Sequence, residues 1–110
     1  MKLPNGDRAL VEDVKLVDYC LSLSHPRGRH KAKLFANRLG ITASHAPLLR
    51  AALLSAARDS DAVPTRRNPF GQLYNIEFDC AGPSGRARLL SAWIIADDDQ
   101  IPRLVTCYPV

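Results

Sequence analysis

The apolar residues of this chain change their spacing once, and that change limits what it can fold into. Up to Ala57 they recur three and four residues apart, the period of helices with one buried face. From Leu73 onward they alternate, the period of strands. Helices that all precede the strands give an α+β domain rather than an interleaved α/β one. A chain of 110 residues holds one domain with a modest core. The expected organisation is a single domain over 1–110. Residues 1 to 12 form an N-terminal arm, 13 to 57 a helical half and 71 to 110 a β-sheet half. About three helices should pack on one face of an antiparallel meander of three to four strands.

The helical half divides at its breakers. The arm turns at Pro4-Asn5-Gly6-Asp7, and Ala9-Leu10-Val11 suits a short edge strand. Asp13 suits an N-cap, and Val14, Leu16, Val17, Cys20 and Leu21 form a stripe for a helix over about 13 to 22. His25 precedes Pro26 and is pushed away from α geometry. A second helix is predicted from Arg29 to Leu39, burying Ala32, Phe35, Ala36 and Leu39 and ending at Gly40. A third starts after Ile41. Thr42 or Ser44 is its cap, with Pro47 favouring Ser44, and Leu48, Leu49, Ala52, Leu53 and Ala56 form its core face. His45 reads as a structural first-turn residue. Arg58 to Gly71, with Pro64 and Pro69, reads as a polar connection.

In the β half, Tyr74, Ile76, Phe78 and Cys80 share one face of a strand over Leu73 to Cys80. Gly82-Pro83-Ser84-Gly85 is a hairpin loop, Ala87 to Ile95 a second strand and Pro102 to Pro109 a third. Leu104, Thr106 and Tyr108 are expected on one face of the last strand, with Val105 and Cys107 on the other. Phe35, Leu39, Leu49, Leu53, Ile76, Phe78 and Ile94 are the expected core.

Charge points to the partner. The net charge is only +4, but from Tyr19 to Ala57 there is no Asp or Glu. That window holds Arg27, Arg29, Lys31, Lys33, Arg38, Arg50 and all three histidines. Such segregation makes a one-sided positive field, the footprint of a nucleic-acid partner. His25-Pro26-Arg27-Gly28-Arg29-His30-Lys31 runs directly into the second helix, and a helix start already favours anions. Cys20, Cys80 and Cys107 are odd in number, lack zinc spacing and read as buried free thiols. No apolar run approaches the roughly 20 residues that span a bilayer. The N-terminus lacks a signal peptide's apolar middle, so the expected location is cytoplasmic, including delivery into a target-cell cytoplasm.

These features also carry a resemblance. His25-Pro-x-Gly28-x-His30-Lys31-Ala32, Leu39-Gly40, Gly82-Pro83-x-Gly85-Arg86, Trp93 and Leu104-x-Thr106-x-Tyr108-Pro109 make one pattern across the chain. It resembles a bacterial domain family whose members occur alone or at the ends of polymorphic or phage-delivered toxins. The helix-then-meander order is similar to the small ribonuclease toxins grouped with barnase, the EndoU ribonucleases, colicin tRNases and RelE. The resemblance implies an RNA substrate, tRNA among the candidates, and an acidic immunity or antitoxin protein as a partner.

The chemistry such an enzyme needs is present without metal or cofactor. A base takes the proton of the ribose 2′-hydroxyl, cations hold the phosphate and an acid protonates the leaving oxygen. His25, His30, Lys31 and Thr106 are the catalytic candidates. Arg27, Arg29, Lys33, Ser91, Trp93 and Tyr108 are the substrate-binding ones. Ser91, Trp93, Thr106 and Tyr108 share parities that would line one open sheet face, with Trp93 or Tyr108 stacking a base. Two other readings compete. Ala36 to Thr42 followed by a helix resembles a helix-turn-helix, although Leu48-Leu49 and Ala51 to Leu54 show few polar groups to base edges. A partner-binding or immunity-type module is the third, against which the basic window argues.

Overall fold

The computed structural model describes residues 1–110. Its order is helices, then a four-stranded antiparallel sheet in sequence order β1-β2-β3-β4. The helical elements are α1 (Asp13–Lys15, continuing as a π-turn Leu16–Cys20), α2 (Arg29–Leu39) and α3 (Ala46–Asp59). The strands are β1 (Val63–Asn68), β2 (Gly71–Gly82), β3 (Gly85–Ala96) and β4 (Pro102–Pro109). The architecture is the expected α+β one.

Helix α2 begins and ends where the sequence places it. Ala32, Phe35 and Leu39 are buried, and Gly40 closes it at φ 70°, in the left-handed region that favours glycine. The first helix departs from expectation. Of its stripe, Leu16, Cys20 and Leu21 are buried while Val14 and Val17 are exposed. Leu16 and Leu21 lie five apart, and the Leu21 N–H reaches the Leu16 carbonyl at 2.8 Å, so the wider π-turn carries both toward the core. A 3-10 turn, Ala43–His45, leads into α3; Thr42 caps that turn, and His45, not Thr42 or Ser44, stands at the N-cap position of α3. The His45 ring nitrogen Nδ1 accepts the Thr42 N–H at 3.0 Å, which gives His45 the structural role read from its position. Leu48 is exposed, and the buried face is Ala46, Leu49, Leu53, Ala56 and Ala57.

The stretch 58 to 71 is not a plain connection, because it contains β1. Every β1 residue before Asn68 is exposed, and its pairing with β2 is irregular between Pro64 and Arg67. An exposed edge strand with a proline and a bulge has no alternation to read. The arm is also more than an arm. Leu3, Ala9 and Val11 are core residues, and Leu10 bonds to Pro102 and Leu104, flanking β4.

One bulge decides which β4 side chains enter the core. Pairing passes from Ala92–Thr106 to Trp93–Leu104, leaving Val105 as the extra residue. Leu104 therefore joins Cys107 and Pro109 on the buried side, while Thr106 and Tyr108 stay half-exposed. The strict alternation expected over Leu104 to Tyr108 fails for that reason. Phe35, Leu39, Leu49, Leu53, Ile76 and Phe78 are in the core as expected; Ile95 takes the place assigned to Ile94.

Candidate nucleic-acid interface

The site is built where the start of α2 meets the edge strand β4. Gly28 lets the helix start lie directly on the π-turn: a Cβ there would come within 2.0 Å of the Tyr19 carbonyl oxygen. Ahead of it, the His25 Nδ1 accepts two main-chain N–H bonds, from Arg27 and Gly28, each at 3.0 Å. That contact fixes the ring and leaves Nε2 to carry the proton of the neutral imidazole. The ring stands edge-on to Tyr19, with centroids 4.9 Å apart and planes at 81°.

Lys31 is the centre of the cluster. It rises from the first turn of α2 beside the buried stripe, half-buried, and its Nζ donates to the Tyr19 hydroxyl at 2.7 Å. The same ammonium lies 4.7 Å from the centroid of the Tyr19 ring and 5.7 Å from that of Tyr108. Two aromatic faces thus hold one cation, an arrangement that orients it at little cost in hydration. None of the ion pairs in the molecule involves Arg27, Arg29, Lys31 or Lys33.

Beneath Lys31 the thiols extend the cluster inward. Cys20 Sγ lies 3.9 Å from Thr106 Oγ1. The hydrogen bond from the Cys107 thiol draws Cys20 down to about 7, with Thr106 and Lys31 helping and burial opposing. The same bond and burial push the Cys107 thiol well above the ordinary range. Burial also raises Cys80. All three cysteines are free and buried.

A family profile described as "Domain of unknown function (DUF6883)" matches residues 2–110. The chain belongs to this family. Its fold is shared with a chain of the "Contact-dependent growth inhibition toxin - immunity protein complex from Klebsiella pneumoniae 342". The two superpose with a TM-score of 0.64 at 21% identity, over 96% of each chain. No curated protein matches.

In this DUF6883 domain the candidate residues separate into three groups. His25, Lys31, Thr106 and Tyr108 converge at the cluster. Arg27, Arg29, His30 and Lys33 are exposed on α2 and the loop before it, as a basic rim. Ser91 and Trp93 do not belong to the site. Both are fully buried under the helices, and the Trp93 Nε1–H donates to Ser91 Oγ while the Ser91 hydroxyl donates to the Ile76 carbonyl, each at 2.9 Å. Sheet pairing sets Ser91 opposite both Ile76 and Cys107, so its parity faces the core rather than an open surface.

Tyr19 is the member the sequence reading missed. It stands at the end of an apolar stripe, where a core aromatic is the usual interpretation. The available signal was its place as the first residue of the acid-free window. No three or more His, Cys, Asp and Glu side chains converge in a metal-binding group. No helix is long and apolar enough to cross a membrane.

Proposed function

We propose that this domain is a metal-independent endoribonuclease of toxin type, acting at the start of α2. The observation that carries the reading is the Lys31 ammonium held between Tyr19 and Tyr108, with Tyr19 also against His25, and with no ion-pair partner. Lys31 with Arg27 or Arg29 holds the scissile phosphate as its charge grows. The Thr106 hydroxyl bonds a phosphate oxygen, and Tyr108 stacks a neighbouring base. The Lys31 ammonium gives a proton to the leaving 5′-oxygen. With Nδ1 accepting from the main chain, the one ring proton of His25 sits on Nε2, and losing it would leave an imidazolate, so His25 donates a hydrogen bond to the phosphate rather than acting as acid or base. His30 takes the 2′-hydroxyl proton. Attack of that oxygen on phosphorus closes a 2′,3′-cyclic phosphate as the bond to the 5′-oxygen breaks.

The partner is RNA, with tRNA one candidate. The fold shared with a toxin–immunity complex supports a toxin role, delivery into a target-cell cytoplasm and a cognate immunity protein presenting acid to the basic rim. The test is expression in bacteria beside a His25→Ala, Lys31→Ala double variant, comparing growth and total RNA on a gel. Growth arrest with RNA fragments from the unaltered chain alone is the expected result. Equal harmlessness of both chains would leave a nucleic-acid-binding module in place of a nuclease.

A further inference from the structure

The opposite edge of the sheet holds a second surface. β2 runs from Gly71 to Gly82, but β1 pairs only with its first part, up to Asn75. From Ile76 to Gly82 the β1 side of β2 has no strand partner. The direction of its main-chain groups follows from the neighbouring pairs. The Arg88 carbonyl points to β4, where it accepts the Val110 N–H, so Ala87, Leu89 and Ser91 direct their groups to β2. Their partners Cys80, Phe78 and Ile76 face back to β3. Glu77, Asp79 and Ala81 therefore aim their N–H and C=O groups outward.

That edge borders an open groove of about 1100 Å³ between β2 and α3. Glu77, Asp79 and Ala81 form one wall, and Leu48, Ala52 and Ser55 the other. At about 3.3 Å per residue, the three outward positions accommodate a strand of about five residues. Unpaired edges are commonly blunted by lysine, proline or a bulge. β1 has Pro64, Arg66, Arg67 and a bulge, and β4 has the Leu10 segment beside it. The free part of β2 has neither basic residue nor proline, and its pairing with β3 is regular throughout.

We infer that the free edge of β2 accepts an extended, basic segment of a partner protein as an added strand. Charge selects this occupant. Acids lining the groove outnumber bases, with Asp59, Asp61, Glu77 and Asp79 against Lys2 and Arg88. Asp59, Asp61 and Asp79 pair with Arg58, Lys2 and Arg88 at exposed positions, and Glu77 has no ion-pair partner, so Glu77 is the acid that an incoming basic side chain meets first. A second copy pairing antiparallel here would set Glu77 and Asp79 of one chain against those of the other, which is repulsive. A segment alternating basic and apolar side chains satisfies the main-chain groups, the acids and the Leu48–Ala52 wall together.

The probe is a labelled heptapeptide alternating lysine and valine, followed by fluorescence anisotropy and residue-resolved amide exchange. Binding should protect the Glu77, Asp79 and Ala81 amides, which exchange freely in the chain alone. N-methylation of alternate peptide nitrogens should weaken binding at least about tenfold. Asp79→Pro removes an outward N–H without touching the ladder to β3 and should abolish binding in a chain that circular dichroism shows folded. Should that variant not fold, the Glu77→Lys, Asp79→Lys double variant reads the charge requirement, with a similar loss expected. Absence of amide protection, equal binding of the methylated peptide, or wild-type affinity in the folded variants would overturn the inference. So would a dimer in sedimentation whose edge amides are already protected. RNA cleavage reads the other edge, so the two proposals fail separately.

Discussion

The two edges of the sheet are finished in opposite ways. At β4 the edge is covered: Leu10 bonds along it, α2 packs over it, and Lys31 reaches from that helix to Tyr108. At β2 the edge is bare over its second half, and α3 stands across a groove from it. Where α2 starts beside the covered edge, Arg27, Arg29, Lys31 and Lys33 have no ion-pair partner, while Arg103 at the other end of β4 pairs with Glu12 and Asp99. The bare edge is lined mainly with acids. The charge segregation visible along the chain becomes a separation in space between the surface proposed to take an anion and the surface proposed to take a polypeptide. A ligand with a phosphate backbone is held mainly by side-chain cations, with help from the helix start. An added strand is held mainly by main-chain groups, with side chains setting which strand fits.

The largest effect should come from removing what seats α2. Phe35 is fully buried in the single core cluster, and Phe35→Ala should lower stability by about 3–5 kcal/mol. Both surfaces would be lost together as the fold weakens. A urea midpoint unchanged by this substitution would mean that α2 is not anchored as described.

The next effect is confined to the covered edge. His25→Ala should reduce RNA cleavage about 10²-fold or more while RNA affinity stays within a few-fold. His30 is exposed, so water can partly replace it, and His30→Ala should cost less. If His30→Ala proves the more damaging, the two imidazoles have been given each other's weight.

Salt dependence sharpens the contrast further. Each phosphate contact contributes about 0.7–0.9 to the slope of log affinity against log salt. Arg29→Ala and Lys33→Ala should each reduce the slope by about that amount, with no change in sequence preference. Arg66→Ala, an exposed cation on the β1 edge, should leave it unaltered. Equal effects at both edges would show that net charge, not this surface, attracts RNA.

The smallest effect is a titration under the site. Cys20 is held at about 7 against a usual 9.0, so a thiolate absorbance step near pH 7 should vanish in Cys20→Ser. The sign follows from linkage. A lowered value in the fold stabilises fully above pH 9 and is lost as pH falls through about 7. A Cys20→Ser chain that keeps the step would refute the thiol pairing.

What was legible in the sequence tracks how local each cause is. α2 and β4 match their expected limits because Gly40, the Phe35 stripe and the flanking turns act within a few residues. His25 and Lys31 were legible as neighbours at one helix start, whereas the meeting of Lys31 with Tyr108 depends on how α2 lies against β4. Long-range causes were not legible. The Val105 bulge depends on pairing with β3, and it moved Leu104 inward and left Thr106 and Tyr108 at the surface. Trp93 and Ser91 went under the helices because their partners Tyr74 and Ile76 set the core side of the sheet. β1, polar and exposed, is a strand only because β2 offers it an edge. Tyr19 gains its role from a lysine twelve positions later on another helix.

The proposed metal-free cleavage of RNA at the covered edge is read most directly by incubating the purified chain with total RNA in excess EDTA and analysing the new ends. Fragments ending in 2′,3′-cyclic phosphate are expected, equally abundant with and without chelator, and absent for Lys31→Ala. Loss of cleavage on chelation, ends bearing a 3′-hydroxyl, or intact RNA at every concentration of pure protein would contradict the proposal.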